Sequence, residues 1–567
     1  MRTRKVITET CLCFCLLAAE VVSTGAHAAE TVPPPKAFGP VPTEGQMAWH
    51  KAEMIALICF GLNTYTDQEW GYGDVSPKIF NPTELDTDQW VAACKAGGIN
   101  GIILVAKHHD GFCLWPSRHT EYSVKATPWR DGKGDILGDL ARSCEKHDVM
   151  LGVYLSPWDR NHAEYARPAY VEYFFNQWRE VMTDYGSLFE IWFDGANGGT
   201  GYYGGAREKR SIGPNYYRYS ELMELRDKLQ PKAVAFGAQR ANSTRWVGNE
   251  SGVAKETNWC RHDSGADRGI GAENGTMWMP AESDTPFRGG WYWHEKEDPK
   301  SLDHLVETYF ATVGRNSTLN FGIAPDRRGL LEEEDVVRLR ELGDYVRTMQ
   351  ATNFARGRKV ASAQTRGEAP CFAAANVTDG CYDSYWATND GVLRGDIEID
   401  LGGPVTFNVV EVQEYVPLGQ RVKAWSVEVQ LDGQWREIGR ATTIGYKRVL
   451  RVPTTTASKA RIRILDALAC PAINNVSLYR APVLMRDPVI TRAPDGMVSI
   501  DAPEGATAFY AVGNEPLKKA FREYREPFAL REGGRVRAYI MRDNRGVRIQ
   551  RVLGTKERLL KSSSSLY

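Results

Sequence analysis

Residues 188–195, LFEIWFDG, decide how the chain is read. Five of the six residues before Asp194 are apolar or aromatic, and the run opens into Gly-Ala-Asn-Gly-Gly at 195–199. A strand apolar along its whole length suits a parallel sheet buried on both faces. The carboxyl ends of such strands carry the chemistry in α/β barrels. An acid delivered there can be tuned by burial and neighbouring charge.

Outward from this stretch the same unit repeats. Apolar runs at 54–65, 99–107, 149–156, 188–194, 232–237 and 317–323 alternate with helical patterns at Asp88–Ala96, Ile136–Lys146, Ala166–Tyr185, Ser220–Leu229 and Glu332–Thr348. Strand–helix repeats over about 300 residues predict a (β/α)8-like (TIM-type) barrel. The stretch 237–300 lacks clean periodicity and reads as enlarged loops. After Phe354 the pattern turns to alternation, as in DIEIDLG (396–402), WSVEVQL (425–431) and ARIRILDA (460–467), which predicts a β-sandwich. Pro482 and Pro488 mark the start of a further small β unit. The expected architecture is multidomain, α/β plus all-β: barrel 29–354, sandwich 355–482, and a small β domain with a frayed tail at 483–567.

Composition narrows the function. Of 567 residues, 70 are basic and 71 acidic, for a net charge of −1, so no basic surplus points to nucleic acid. The 16 Trp and 25 Tyr serve cores first, but their flat faces and polar edges also suit sugar rings. Arg2, Arg4 and Lys5, the apolar run Cys11–Ala19 and Ala26-His27-Ala28 form an export signal over 1–28, implying a periplasmic or extracellular protein. No later run approaches the length of a membrane span. The eight Cys beyond the signal have no metal-site spacing and read mostly as small core residues. Cys371 and Cys381 are close enough in sequence to pair.

Polar residues at the expected strand ends form a set. Asn63 and Tyr65 end the first strand, with Glu69 and Trp70 in the loop after it. Lys107, His108, His109 and Asp110 end the second, and Tyr154, Trp158 and Asp159 the third. Asp194 ends the fourth, and Arg245 and Glu250 follow in TRWVGNE. Adjacent strand residues point to opposite faces, which argues against His108-His109 as a metal pair; Lys107 and Asp110 can form a local ion pair. Carboxylates, His, Tyr and Trp without a phosphate-cradling loop describe a carbohydrate site needing no cofactor or metal. Two carboxyl groups suffice for glycoside hydrolysis.

At these residues the chain resembles the family 29 glycoside hydrolases, the α-L-fucosidases. The matching segments are FGLNTYTDQEWG (60–71), AKHHDGFCLWPS (106–117), GVYLSPWDRN (152–161), IWFDGANGG (191–199), RWVGNESG (245–252), WMPAESD (278–284) and GRNSTLNFGIAPDRRG (314–329). RWVGNE and PAESD resemble the subgroup that cleaves α-1,3/1,4-linked fucose from oligosaccharides and glycoconjugates. The resemblance implies a retaining mechanism, with Asp194 as nucleophile and Glu250 as acid/base. It also implies that Glu69, Trp70, His108, His109, Tyr154 and Trp158 line the fucose pocket, with Arg245 near the acid/base. Glu282 reads as a substrate contact, and as the competing acid/base.

One departure stands out. The family usually has His before the FG of the first strand, where this chain has Cys59, a weak hydrogen-bonding group. Segment 285–294, TPFRGGWYWH, also strays from the family's wording. A glycan-binding protein with impaired catalysis, or a glycosidase for another 6-deoxy or galacto-configured sugar, therefore stays open. The sandwich resembles a discoidin-like (F5/8 type C) module of the carbohydrate-binding kind, through NVTDGCYDSYWAT (376–388), IEIDLG (397–402) and GQRVKAWSVEV (419–429).

Overall fold

Met54–Ile58 (β1) and Gly101–Lys107 (β2) are buried at every position, as strands covered on both faces must be. Six more follow: Met150–Leu155 (β3), Glu190–Trp192 (β4), Val234–Phe236 (β5), Ser243–Trp246 (β6), Ala281–Pro286 (β7) and Ser317–Ile323 (β8). All eight pair in parallel with their sequence neighbours, and β1 closes onto β8, giving a closed barrel. The computed structural model describes residues 32–238, 240–484, 487–502, 505–513, 521–542 and 545–554. The export segment expected at 1–28 and the Ser-rich tail lie outside these residues.

Alternation along β1 divides the core. Met54, Ala56 and Ile58 pack towards the helices, while Ile55, Leu57 and Cys59 join Ile103, Val105, Tyr154, Trp192 and Phe236 inside the barrel. Helices start where their capping residues stand. Asp86 accepts from Gln89 N at 3.1 Å before Thr87–Ala96, and Asp135 from Gly138 N at 2.8 Å before Ile136–His147. Pro168 opens Pro168–Asp184, where its missing N–H costs nothing.

Three expectations are corrected. β6 and β7 lie inside the stretch read as loops, and β5 reaches β6 through only residues 237–242. Thr244, Glu282 and Asp284 face the barrel interior and Arg245 turns outward, so neither segment shows an apolar run. Asn63 and Tyr65 do not extend the first strand but sit in a short helix, Leu62–Thr66. Lys107 faces away from Asp110. It is fully buried 3.4 Å from Asp159 and 2.8 Å from Gln177, among the rings of Tyr170, Tyr173 and Phe174.

Beyond the barrel, seven strands between Lys359 and Tyr479 form one sheet, in which Gly395–Glu414 and Arg448–Ala467 pair across register shifts that bend them. Trp386 and Trp425 lie in its core. Smaller three- and four-stranded sheets follow after Val489. Cys371 and Cys381 are exposed and unpaired. No helix among the described residues is long and apolar enough to cross a membrane.

The barrel interior holds an acid pair. Glu190 and Glu282 are fully buried together, supported by Trp49 Nε1 on Glu190 at 2.9 Å and by Trp192 Nε1 at 3.0 Å and Asn320 Nδ2 at 2.9 Å on Glu282. Burial, then the neighbouring Glu282, pushes the Glu190 carboxyl well above its usual range, so Glu190 holds the shared proton. Folding therefore favours the protonated form. The pair's contribution is complete below the ordinary carboxylate range and is lost as pH rises towards the folded-state value. Glu190→Gln keeps a donor to Glu282 and removes that loss. Its Tm relative to wild type should improve steadily from pH 5 to pH 9; a constant difference would count against proton sharing.

Candidate active site

Asp194 stands just past β4, at the carboxyl end of the barrel. Its Oδ1 accepts the Ala196 N–H at 2.6 Å, and its Oδ2 accepts the Tyr154 hydroxyl at 2.9 Å. His109 Nε2 is 4.0 Å from the same Oδ2. The side chain stays 25% exposed, so the carboxylate is oriented yet open. Burial holds Tyr154 well above the usual phenol range, so it remains a donor to Asp194.

The two histidines are placed by what their other nitrogens meet. Ser156 Oγ donates to Trp158 O at 2.8 Å and so can only accept from His109 Nδ1 at 2.7 Å. That leaves His109 Nε2 as an acceptor facing Asp194 and the pocket. Asn63 Nδ2, oriented by its bond to Glu69 O at 3.0 Å, donates to His108 Nδ1 at 3.3 Å. His108 therefore carries its proton on Nε2. One ring offers an acceptor and the other a donor, a combination that suits sugar hydroxyls. Burial, then Arg160, lowers His109 to about 3, and burial, then His109, takes His108 well below the usual value, so both are neutral. The rings lie 4.0 Å apart on the same side. The alternation expected of them fails because β2 ends at Lys107. Among the described residues, no group of His, Cys, Asp and Glu could hold a metal ion.

Trp70, 58% exposed, stands edge-on to His109 at 5.1 Å and to Trp158 at 6.0 Å. Trp158 is buried and donates Nε1 to Tyr203 Oη at 2.9 Å, in the hairpin segment that follows Asp194. Glu69 is spent on the chain after β7. It accepts Trp291 N at 3.1 Å, Tyr292 N at 3.2 Å and His294 Nε2 at 2.7 Å. His294 also meets Asp67 at 2.7 Å; burial opposes its charge, but the two carboxylates win and raise its pKa.

A cavity of about 830 Å³ opens beside Asp194, with Glu250, Asp284 and Trp246 in its wall. Glu250 is exposed and accepts Trp291 Nε1 at 3.2 Å. Asp284 is buried, accepts Trp246 Nε1 at 2.6 Å, and is pushed up by burial to about 8. Arg245 turns outward from β6. Its Nη2 donates to Asn258 Oδ1 at 2.5 Å and Trp259 O at 2.6 Å, and its Nη1 to Arg268 O at 3.1 Å. Asn258 is itself gripped by Thr443 Oγ1 and Gln420 Nε2 of the sandwich, at 2.9 and 3.0 Å, so the sandwich braces this wall.

The structure thus brings Asp194, His108, His109, Tyr154, Trp70, Trp158 and Glu69 together, with Glu250 across the cavity. Glu282 does not join them: it lies in the closed interior bound to Glu190, Trp192 and Asn320, where no substrate reaches. Cys59 is 3% exposed among Tyr154, Trp192, Phe236 and Tyr292, and its thiol reaches only Leu57 O at 3.9 Å. Burial, then Glu69, raises that thiol well above its usual value. Ser156, Trp246, Asp284, Trp291 and His294 were not singled out from sequence. The i, i+2 pair Glu282/Asp284 was the available signal for Asp284, since both had to face inward on one strand.

Comparison with known proteins identifies the family. The family model described as Alpha-L-fucosidase matches residues 39–350, and one described as NedA-like, galactose-binding domain matches 376–462. Alpha-L-fucosidase 1 of Arabidopsis thaliana is 36% identical over 463 residues, covering 79% of this chain and 89% of the relative. A solved glycoside hydrolase 29 family member from an unknown rumen bacterium is 34% identical, covers 92% of this chain and all of its own, and superposes with a TM-score of 0.72. The Ruminococcus gnavus GH29 fucosidase, solved in complex with fucose, is 31% identical, covering 80% of this chain and 97% of its own with a TM-score of 0.73.

Proposed function

Because the chain belongs to the α-L-fucosidase family of glycoside hydrolases, we propose that it is a retaining enzyme that removes terminal α-1,3/1,4-linked L-fucose from oligosaccharides or glycoconjugates outside the cytoplasm. The carrying observation is Asp194, fixed by Tyr154 and Ala196 N–H and open to the cavity that Glu250 borders. Asp194 attacks the anomeric carbon while Glu250 protonates the departing oxygen. The glycosyl–enzyme ester is then hydrolysed by a water that Glu250 deprotonates. His109 Nε2 accepts from one fucose hydroxyl and His108 Nε2–H donates to another, while Trp70 covers the apolar face with its C6 methyl.

Cys59 supplies no hydroxyl contact, and the neutral histidine pair carries that recognition instead. The galactose-binding-type sandwich adds affinity for galactose-containing chains next to the cleaved bond. A linkage-defined panel of fucosides, with proton NMR of the first product, tests the reading. The expected result is release of the α anomer and preference for α-1,3/1,4 linkages. First appearance of the β anomer would refute retention, and binding of Lewis-type trisaccharides without cleavage would leave a glycan-binding protein.

A further inference from the structure

The cavity beside Glu250 carries uneven charge. Its acids are Asp194, Glu250 and Asp284, the first two being the proposed nucleophile and acid/base, whereas the rest of its wall includes Arg240, Arg268 and His262. His262 lies on the short strand Arg261–His262 and is 2% exposed; its ring lines the cavity, while its Nδ1 is sealed from solvent. Burial first, then Arg245 and Arg268, lowers its pKa, so the ring is neutral and can offer one N–H.

Arg268 makes no ion pair among the described residues, while its carbonyl is pinned by buried Arg245. Arg240 is 40% exposed, donates Nη1 to Ser220 O at 3.1 Å, and lies 3.6 Å from Asp227, which Arg226 already holds at 2.8 Å. The two acids of the same loop are occupied elsewhere. Asp263 accepts from Thr276 N and Oγ1 at 3.0 and 2.6 Å, and Asp267 from Gly269 N and Ile270 N at 2.7 and 2.9 Å with Lys255 at 3.2 Å. Neither lines the cavity. Two guanidinium groups and a neutral imidazole ring thus border the cavity. Planar guanidinium forks match carboxylate and sulfate oxygens better than they match hydroxyls.

We propose that this part of the cavity is a subsite for an anionic substituent, a carboxylate or a sulfate ester, on the sugar from which fucose departs, with Arg240, Arg268 and His262 holding it. The proposal rests on the fucosidase reading and deepens it. The test compares kcat/KM for matched fucosyl oligosaccharides whose leaving portion is neutral, sulfated or carboxylated. At low salt one anionic series should exceed the neutral one by about tenfold, the scale of a charge-assisted contact. The series that gains identifies the anion. The double variant Arg240→Gln/Arg268→Gln should erase that gain while leaving the neutral substrate within about twofold. Equal rates across all three series, or a preference the double variant keeps, would overturn the proposal. Calorimetric binding of the fucose-free sulfated and carboxylated products decides independently of turnover. If nothing is cleaved but these products bind the wild type and not the double variant, the subsite stands and the fucosidase reading falls; if they bind neither protein, the subsite falls.

Discussion

Replacing Asp194 with glycine is expected to lower kcat by about 10³-fold or more, since removal of a covalent nucleophile withdraws the whole double-displacement route. The loss should not come from unfolding. The carboxylate is 25% exposed at the mouth of the cavity, and its deletion unpairs only the Tyr154 hydroxyl and the Ala196 N–H. Sodium azide should restore part of the rate with substrates bearing activated leaving groups, because the deleted carboxylate leaves room on the face from which it would attack. The product would be the glycosyl azide of inverted, β configuration, identified by NMR. An Asp194→Gly variant with normal rates would remove Asp194 from the mechanism. A slow variant that azide never rescues, even with activated substrates, would reduce it to an orienting role.

The readable and unreadable parts of this chain follow from where polar residues stand. β1, β2 and β3 were legible because both of their faces meet apolar side chains, so each appears as an unbroken run. β6 and β7 were hidden by the site they build. Thr244 and Trp246 on β6, and Glu282 and Asp284 on β7, point inward to one another and to the cavity. The usual strand signal was thereby replaced by polar residues.

Depth was equally invisible. Glu282 and Asp284 are two residues apart on one strand, yet one lies in the closed interior and the other in the cavity wall. Nothing in AESD distinguishes them. Asp194, His109 and Tyr154 were legible because each ends an apolar run. Trp291 and His294 follow no period, and only the fold brings them to Glu250 and Glu69.

Among the acids beyond Asp194, the proposed proton donor differs from the others in reach, and leaving-group dependence tests it. Glu282 is enclosed, and Asp284 is 4% exposed with its carboxyl turned to Trp246. Glu250 alone of the three is exposed, steadied by Trp291 Nε1. Glu250→Ala is therefore expected to reduce kcat/KM on natural oligosaccharides by about 10²–10⁴-fold, the usual range for a lost general acid. A p-nitrophenyl fucoside needs little protonation to depart, so its first step should fall far less, leaving hydrolysis of the intermediate as the slow step. Asp284→Asn should behave differently. Asp284 is raised to about 8 and neutral at pH 7, so the amide replaces it with little change in charge, and oligosaccharide turnover at pH 7 should stay within about tenfold. Its effect should grow above pH 8, where the wild-type carboxyl ionises and the amide cannot. Equal losses for Glu250→Ala on both substrate types, together with a leaving-group-dependent collapse for Asp284→Asn, would transfer the acid role to Asp284.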